Sequence, residues 1–490
     1  MNKFFSVPRV AVAAAVVLFA ADFASAEEVL PPRNASLTLE ECLSIALDNN
    51  PTVKVADLEV KRMDYSKKET IGQLLPTIDF GANYNRMLAK QTMYMNMDGL
   101  GDFGNLGGAG SDTPGEGGEE ALMSRAGGGK GDGGIKVGLD NSYSMGFSAS
   151  LPLIAPQLWK SISISDSQIL KNVEQARTSR LELVNQVKSA YYTLLLAEDS
   201  RRVIQESYDM AKLNYDTYSR KYEAGAASDY DVLRTSVAMK NIEPELLQAD
   251  ISIKQARLQL LILMGLDSSV EISASARLSD YEKSMYDAVL NINPDYSRNP
   301  QLIMNDIDTK ILNQSLTLQK FSFIPTLALT ANYNWTSMSN GSPFKNFRWN
   351  PYSAVGLTLS VPLFQGGGRY SRVKQAEVQL IEMGFQRENL ERSVSMQVTM
   401  AIDNIKVNVR QIASCSESVR EAERAHDIME QSFAIGAATY LDLRDSELAL
   451  TRARLAYYQA IYNYLVAESE LELLLGNAPV EKYTAANARN

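Results

Sequence analysis

Few side chains in this sequence of 490 residues are spaced for catalysis or metal binding. The single histidine, His426, falls in the middle of a helical pattern with no cysteine or second histidine nearby, which favours a surface residue over a metal ligand. No nucleophile lies at a usable spacing from a base. The formal net charge of −10 argues against a nucleic-acid partner, because such binding normally rests on Lys and Arg. We therefore expect no enzyme, no metal site and no cofactor.

The two cysteines, Cys42 and Cys415, lie far apart in regions of helical pattern. A disulfide between them would be compatible with an oxidising compartment. Two isolated buried thiols are the favoured interpretation, because nothing in their spacing indicates a disulfide framework.

The first residues predict export from the cytoplasm. Lys3 and Arg9 form a short positive region, Val10 to Ala21 is almost wholly apolar, and Ala24 to Ala26 is a small-residue cleavage site. This order is typical of a secretory signal peptide, here residues 1–26. A membrane anchor is the alternative, but about a dozen apolar residues fall short of the ~20 that a spanning helix needs. No later stretch is apolar enough for such a helix, so we expect either a soluble protein or a membrane β-barrel.

An internal duplication organises the rest of the chain. Asn50-Pro51 recurs at Asn299-Pro300, and the run from Ala82 to Asn85 recurs from Ala331 to Asn334, each 249 positions later. Such a long period indicates a duplicated domain and not a solenoid.

The duplication continues towards the C-terminus with a shorter step. Gly225-Ala226-Ala227 recurs at Gly436-Ala437-Ala438, 211 positions later, because the first half carries a long insertion. We predict a first structural repeat over residues 27–265, a second over residues 266–476 and a C-terminal tail over residues 477–490.

Each repeat is predicted to contain one very long amphipathic helix. Residues 159–222 contain neither Pro nor Gly. Residues 373–433 contain no Pro and a single Gly, Gly384. In the first of these segments apolar residues recur at helical spacing, namely at Leu181, Val184, Val187, Tyr191, Leu194 and Leu195. Helices of this length would be roughly 90–100 Å long. An ordinary extended coiled coil is the alternative, and composition alone leaves it open.

Each long helix is followed by a glycine motif that predicts a tight turn. Gly225 and Gly436 can supply the left-handed residue that ends a helix. Ser228 and Thr439 can then cap the following helix. Each repeat is thus predicted to be a long helical hairpin, with tips near residues 225 and 436.

Four segments with period-two alternation predict β-strands between the short and the long helices. They cover about residues 77–86, 142–151, 326–335 and 352–361. Each has about the ~9–11 residues of a tilted transmembrane strand, with apolar side chains on one face. A set of aromatic residues falls near the predicted strand ends, as in an interfacial girdle: Tyr84, Tyr143, Tyr333, Trp335 and Tyr352. A soluble sandwich with one wet face is the alternative.

Four strands cannot close a membrane barrel, for which about eight is the minimum. Because open sheet edges are not tolerated in lipid, the chain is predicted to oligomerise. Three copies would provide a twelve-stranded barrel. The strands of the first pair are joined by residues 87–139, a Gly-rich segment that is predicted to be a flexible external loop.

The segment from Ser360 to Tyr370, SVPLFQGGGRY, resembles a motif of the TolC-like outer-membrane efflux proteins. The paired halves, the Asn-Pro openings, Leu75-Pro76 before the first strand and the two hairpin tips resemble the same family. The resemblance covers essentially the whole mature chain. It implies a mainly α-helical homotrimer with four transmembrane strands per protomer, a twelve-stranded barrel in the outer membrane and an α-helical tunnel in the periplasm.

The family resemblance also implies partners and a function. The tunnel would dock on a periplasmic adaptor attached to an inner-membrane transporter. The chain would then be the exit duct of a tripartite efflux or type I secretion system. Two alternatives are a stand-alone diffusion porin, which would not need the long hairpins, and an exported structural coiled-coil protein, which would not need amphipathic strands.

In such a duct, acidic residues on the second tip can line a constriction. Asp442 and Asp445 match those positions and share one helix face, where they would attract cations. The alternative is that they only stabilise a helix start through the macrodipole. In the first repeat, Asp231 is followed by Arg234, so the two tips are not equivalent. The adaptor-docking surface would comprise the small tip residues Gly225, Ala226, Ala227, Gly436, Ala437 and Ala438.

Overall fold

The structure, a computed structural model, describes residues 34–89, 91–93, 135–137, 139–282, 285, 295–342 and 348–477. The predicted signal peptide, most of the Gly-rich segment and nearly all of the predicted C-terminal tail lie outside these residues. None of the helices in the described ranges combines the length and the apolar character that crossing a bilayer requires.

The fold is mainly helical, as the sequence predicts. The described helices are α1 (Leu39–Asn49), α2 (Pro51–Gly72), α3 (Pro156–Glu223), α4 (Asp229–Met264), α5 (Pro300–Phe321), α6 (Gly368–Ala434) and α7 (Tyr440–Leu475). The described strands are β1 (Asn34–Leu37), β2 (Thr77–Arg86), β3 (Gln91–Met93), β4 (Ile135–Val137), β5 (Asn141–Ile154), β6 (Glu271–Ala274), β7 (Thr326–Ser339) and β8 (Asn350–Ser360).

Contacts divide the chain into two compact units. The helical unit comprises residues 1–56, 176–299 and 394–490, and the sheet unit comprises residues 57–175 and 300–393. Each unit takes segments from both predicted repeats, and the repeats themselves stay a prediction.

The sheet unit contains one antiparallel sheet of four strands in the order β2-β5-β7-β8. Phe80 of β2, Phe147 of β5 and Tyr333 of β7 are register partners across it. The helices α2 and α5 run into the starts of β2 and β7, and α3 and α6 follow the ends of β5 and β8. Because neighbouring strands are antiparallel, all four helical connections leave the same end of the sheet.

The helices of the sheet unit follow the order of their strands. Ion pairs join α2 to α3, α3 to α5 and α5 to α6: Lys67–Asp166 at 2.7 Å, Lys171–Asp308 at 2.6 Å and Arg387–Asp306 at 3.2 Å. Leu316 of α5 also packs against Val373 and Ala376 of α6. The helices are therefore adjacent in the order α2-α3-α5-α6, the same order as the strands to which they connect, β2-β5-β7-β8.

The strands β5 and β7 are longer than predicted. Tyr333 and Trp335 therefore lie in the middle of β7, and their prediction at a strand end is wrong. The apolar alternation that predicts β7 ends at Trp335, because residues 336–339 are mostly small and polar. These residues still pair with the first residues of β5. Tyr143 is buried and stacks on Tyr84 with ring centroids 4.8 Å apart.

The Gly-rich segment contains more regular structure than predicted where it is described. Residues 91–93 pair with residues 135–137 as β3 and β4, which form a two-stranded antiparallel sheet of their own. The rest of this segment lies outside the described residues.

The core of the helical unit confirms the predicted apolar stripe of the first long helix. All six residues of that stripe are at most 1 % exposed: Leu181, Val184, Val187, Tyr191, Leu194 and Leu195. Both cysteines are free thiols. Cys42 is fully buried, and burial raises the pKa of its thiol to about 12. Cys415 is only partly buried, so the prediction of two buried thiols is wrong for Cys415.

An asparagine bonds the end of each hairpin to the start of the shorter helix that precedes that hairpin in the chain, α2 for the first and α5 for the second. Asn50 Nδ2 donates to the carbonyl oxygen of Leu263 at 2.7 Å, and Asn299 Nδ2 donates to that of Leu474 at 2.7 Å. In both cases the carbonyl belongs to the last turn of a hairpin's second helix, where carbonyl groups have no partner within the helix. The duplicated Asn-Pro motif thus has the same structural role twice.

A glycine makes this close approach feasible at both places. Gly265 and Gly476 end α4 and α7 with φ of 67° and 69°. A Cβ at position 476 would lie 2.1 Å from the carbonyl oxygen of Arg298, and one at position 265 would lie 2.8 Å from that of Asn49. Only glycine fits the backbone conformation and the contact together.

Candidate functional site at the hairpin tips

Both hairpin tips are built on the same backbone turn. At the first tip, Gly225 has φ of 73°, and its N–H donates to the carbonyl of Tyr222 at 2.9 Å. The N–H of Ala226 donates to the carbonyl of Lys221 at 2.7 Å, which completes a Schellman motif. The second tip repeats these bonds from Gly436 to Phe433 and from Ala437 to Ser432.

The predicted docking residues lie at the surface of these turns. Gly225, Ala226, Gly436 and Ala437 are exposed, and Ala227 and Ala438 are partly exposed. A Cβ added at either tip glycine would meet nothing within 4 Å. The tips therefore present small side chains with open space beside them, which leaves room for close approach by another backbone.

The predicted gate residue Asp442 takes part in a capping box at the start of α7. Its carboxylate accepts from the Thr439 backbone N–H at 3.0 Å and from the Thr439 hydroxyl at 2.6 Å. The hydrogen bonds from Thr439 hold the pKa of the Asp442 carboxyl below its ordinary value. Asp445 is exposed one turn further along the same helix. The structure thus brings both carboxylates to the helix start, and Asp442 has a structural role there.

The first tip has the same capping box. Asp231 accepts from the Ser228 hydroxyl at 2.7 Å and from its backbone N–H at 3.3 Å, and these bonds lower the pKa of Asp231. One turn later Arg234 stands where the second tip has Asp445, with a guanidinium nitrogen 4.0 Å from Asp231. The two helix starts therefore share a cap and differ in charge.

A cluster of aromatic side chains joins the two hairpins just above their tips. Tyr440, the first residue of α7, is only 4 % exposed. Its ring centroid lies 5.5 Å from that of Tyr218 on α3 and 6.5 Å from that of Phe433 on α6. Burial raises the pKa of the Tyr440 hydroxyl.

Arg234 completes this cluster from the first hairpin. Its guanidinium carbon lies 4.6 Å from the ring centroid of Tyr440, a cation–π geometry. This contact is not among those predicted from the sequence. A usable signal was the aromatic residue at position 440, because the matching position of the first repeat holds the charged Asp229.

A second polar contact between the hairpins lies further from the tips. Burial raises the pKa of Glu447 on α7, whose carboxylate accepts from Asn214 of α3 at 3.2 Å. His426 Nδ1 lies 3.2 Å from the Ser446 hydroxyl, and the ring is partly buried. The prediction of a surface histidine is therefore wrong, because α7 packs over this side of α6. Within the described ranges, no three His, Cys, Asp or Glu side chains are grouped so that they could hold a metal ion.

Two long helical hairpins and a four-stranded antiparallel sheet in one chain are the features by which its class of protein can be recognised. The sequence profile of the outer membrane efflux protein family matches residues 42–266 and 296–477. This chain belongs to the outer membrane efflux protein family. Its location is the outer membrane, with the helical hairpins on the periplasmic side.

Individual relatives are similar over most of their length. Outer membrane protein TolC of Escherichia coli is 23% identical over 395 residues, 72% of this chain and 76% of TolC. Alkaline protease secretion protein AprF of Pseudomonas aeruginosa is 25% identical over 342 residues, 69% of this chain and 70% of AprF. The CmeC outer membrane channel of Campylobacter jejuni has the same fold with a TM-score of 0.67 at 16% identity, over 92% of this chain and 89% of CmeC.

Proposed function

We propose that three copies of this chain form an outer-membrane channel-tunnel, the exit duct of a tripartite efflux or type I secretion system. Each copy would contribute four transmembrane strands to a twelve-stranded barrel and two long hairpins to a periplasmic tunnel. The two structural repeats, residues 27–265 and 266–476, would each supply one pair of strands and one hairpin. The role of the channel-tunnel would be passive transport, without catalysis and without a cofactor.

The single observation that best supports this proposal is the open sheet. Within the described residues, the outer strands β2 and β8 each pair with one neighbour only. Apolar side chains on these strands are exposed, among them Ile78, Phe80, Val355, Leu357 and Leu359. In a trimer, β8 of one copy would pair with β2 of the next, so that no edge remains and the apolar side chains face lipid.

The proposed partner proteins are inferred from the surface of the hairpin tips. Both tips present small exposed residues on rigid Schellman turns, which suits close packing against helices of a periplasmic adaptor. The adaptor would in turn connect the duct to an inner-membrane transporter. The family description refers to efflux and the name of AprF refers to protease secretion, so no single cargo is proposed for this chain.

The gate is proposed at Asp442 and Asp445. Both carboxylates are exposed at the start of α7, and three copies would bring them together around one axis. The capping bonds of Asp442 do not conflict with this role, because they hold the group ionised. Negative charge at a constriction attracts cations and repels anions.

The proposal is tested by mass measurement and bilayer recording of the detergent-purified protein. We expect a trimer by light scattering and small, cation-selective conductance after reconstitution into a planar bilayer. A large, weakly selective conductance would support the diffusion porin instead. A protein that stays monomeric, or that never inserts, would contradict the proposal.

A further inference from the structure

Four cations lie where the helices of the sheet unit meet the strands. Lys160 is the fifth residue of α3, Lys320 is the penultimate residue of α5, and Arg369 and Arg372 are the second and fifth residues of α6. Because all three helices leave the same end of the sheet, these side chains lie at one level of the molecule. We refer to the four residues as the junction patch.

The junction patch adjoins one carboxylate of α6, Glu377, which is itself paired with Lys374 at 2.8 Å. The bond from Lys374 lowers the pKa of Glu377, and the charge of Lys320 also helps to lower it. Along their own helices, the nearest carboxylates are Asp166 on α3, Asp308 on α5 and Glu377 on α6. Among the described residues, no carboxylate lies within 4 Å of any of the four cations, all of which are exposed or partly exposed. Further from the sheet, cations of these helices are paired with carboxylates: Lys171 of α3 lies 2.6 Å from Asp308 of α5. The positive charge of the patch is therefore directed to solvent or to a partner.

Helix stability accounts for Lys320, which lies in the last turn of α5, but not for Arg369 in the first turn of α6. The macrodipole favours acidic residues in the first turn of a helix and disfavours basic ones. Yet the first turns of α3 and α6 contain no acidic residue. Arg369 of α6 thus stands where the macrodipole disfavours a cation, which indicates another reason for its presence.

Exposed aromatic residues accompany the cations. Trp159 precedes Lys160 and is 51 % exposed, and Tyr370 follows Arg369 and is 63 % exposed. Phe323, just after α5, is 49 % exposed. Aromatic rings beside Lys and Arg are typical of the boundary between the apolar and the headgroup regions of a membrane.

We propose that the junction patch binds the phosphate headgroups of anionic phospholipids in the leaflet that borders the helices. This inference rests on the proposed function, because the patch adjoins a bilayer only if the sheet spans it. The proposal is restricted to α3, α5 and α6. On the α2 side the exposed residues Glu69 and Asp79 add negative charge, and Lys67 is paired with Asp166 at 2.7 Å.

The test compares lipid retention by wild type and by two charge-matched variants. The patch variant carries Lys160→Gln, Lys320→Gln, Arg369→Gln and Arg372→Gln. The control variant loses the same charge from exposed cations of the helical unit: Lys212→Gln, Lys240→Gln, Arg410→Gln and Arg424→Gln. Each protein is reconstituted with equal amounts of phosphatidylglycerol and phosphatidylethanolamine, and the bound lipids are identified by native mass spectrometry.

We expect wild type and the control variant to retain phosphatidylglycerol in at least about tenfold preference, and the patch variant to lose that preference. High salt should weaken the preference, because it screens exposed charges. Trimer formation and conductance should be unchanged in all three proteins. Equal retention of both lipids by wild type, or unchanged preference in the patch variant, would overturn this inference while leaving the proposed function intact. Failure of wild type to enter any bilayer would overturn both.

Discussion

The first hairpin tip, from Tyr222 to Arg234, and the second, from Phe433 to Asp445, can be compared position by position. Both turn at a glycine with positive φ, and both start the next helix with a hydroxyl and an aspartate that cap each other. One turn later the first tip has a guanidinium and the second has a carboxylate. The two tips thus share the Schellman turn and the capping box, and they differ in the charge of the side chain one turn later.

This difference separates the residues that make the fold from those that give a tip its chemistry. A Schellman turn and a capping box each need particular residue types at fixed spacing, so the residues that form them recur at both tips. Neither device depends on the residue one turn later, where the first tip has Arg234 stacked on Tyr440 and the second tip has the exposed Asp445. The asymmetry between the tips therefore points to function more directly than the shared features do.

The largest expected effect concerns the shared frame. Gly476→Ala should destabilise the helical unit by roughly 3–5 kcal/mol, because it combines a strained backbone with a Cβ 2.1 Å from the carbonyl of Arg298. Gly436→Ala should cost only about 1 kcal/mol, because its Cβ meets nothing within 4 Å. Thermal unfolding followed by circular dichroism measures both. Equal losses at the two glycines would contradict the close packing at the hairpin end.

A smaller effect is expected at the aromatic cluster. Tyr440→Ala removes a ring that is packed against Tyr218 and Phe433, so local stability at the tips should fall by about 3 kcal/mol. Tyr440→Phe keeps the packing and serves as the control. Hydrogen exchange of the amides in residues 436–447 reports the change. If exchange is equally slow in Tyr440→Ala and wild type, the cluster does not hold the hairpins together.

The smallest effect is a pH dependence shared by both tips. The pKa values of Asp231 and Asp442 are lowered in the folded protein, so their carboxylates stabilise the caps above the ordinary aspartate pKa of about 3.9. That contribution is lost as the pH falls through the lower folded pKa. We expect amide exchange at both helix starts to speed up only below about pH 4, after correction for intrinsic rates. Asp231→Asn and Asp442→Asn should each abolish this step at their own tip, and a step at one tip only would break the equivalence of the caps.

Much of this architecture could be predicted because it rests on local rules. The long helices follow from apolar periodicity without Pro, and the tips follow from Gly and from Ser228 or Thr439 three residues later. The ends of β7 could not be predicted, because small polar residues pair with β5 through backbone hydrogen bonds that leave no apolar pattern.

The candidate site was predicted only in part, for a different reason. The positions of Asp442 and Asp445 follow from the duplication and from the family resemblance. The packing of Tyr440 between two hairpins and the stacking of Arg234 upon it depend on contacts between residues about 200 positions apart, which no local pattern encodes. The partial burial of His426 is also missed, because its contact with Ser446 of α7 lies across the hairpin, 20 positions away.

Single-channel recording of Asp445→Asn tests whether the charge at the second tip sets the selectivity of the proposed gate. Asp445 is exposed and lies outside the capping box, so the substitution removes charge without removing the cap. Asp229→Asn at the first tip is the matched control, because Asp229 is also exposed and lies outside the capping box of Ser228 and Asp231. We expect a lower preference for cations and weaker block by multivalent cations in Asp445→Asn, with Asp229→Asn close to wild type. Unchanged selectivity and block in Asp445→Asn, or the same change in Asp229→Asn, would contradict a gate at the second tip.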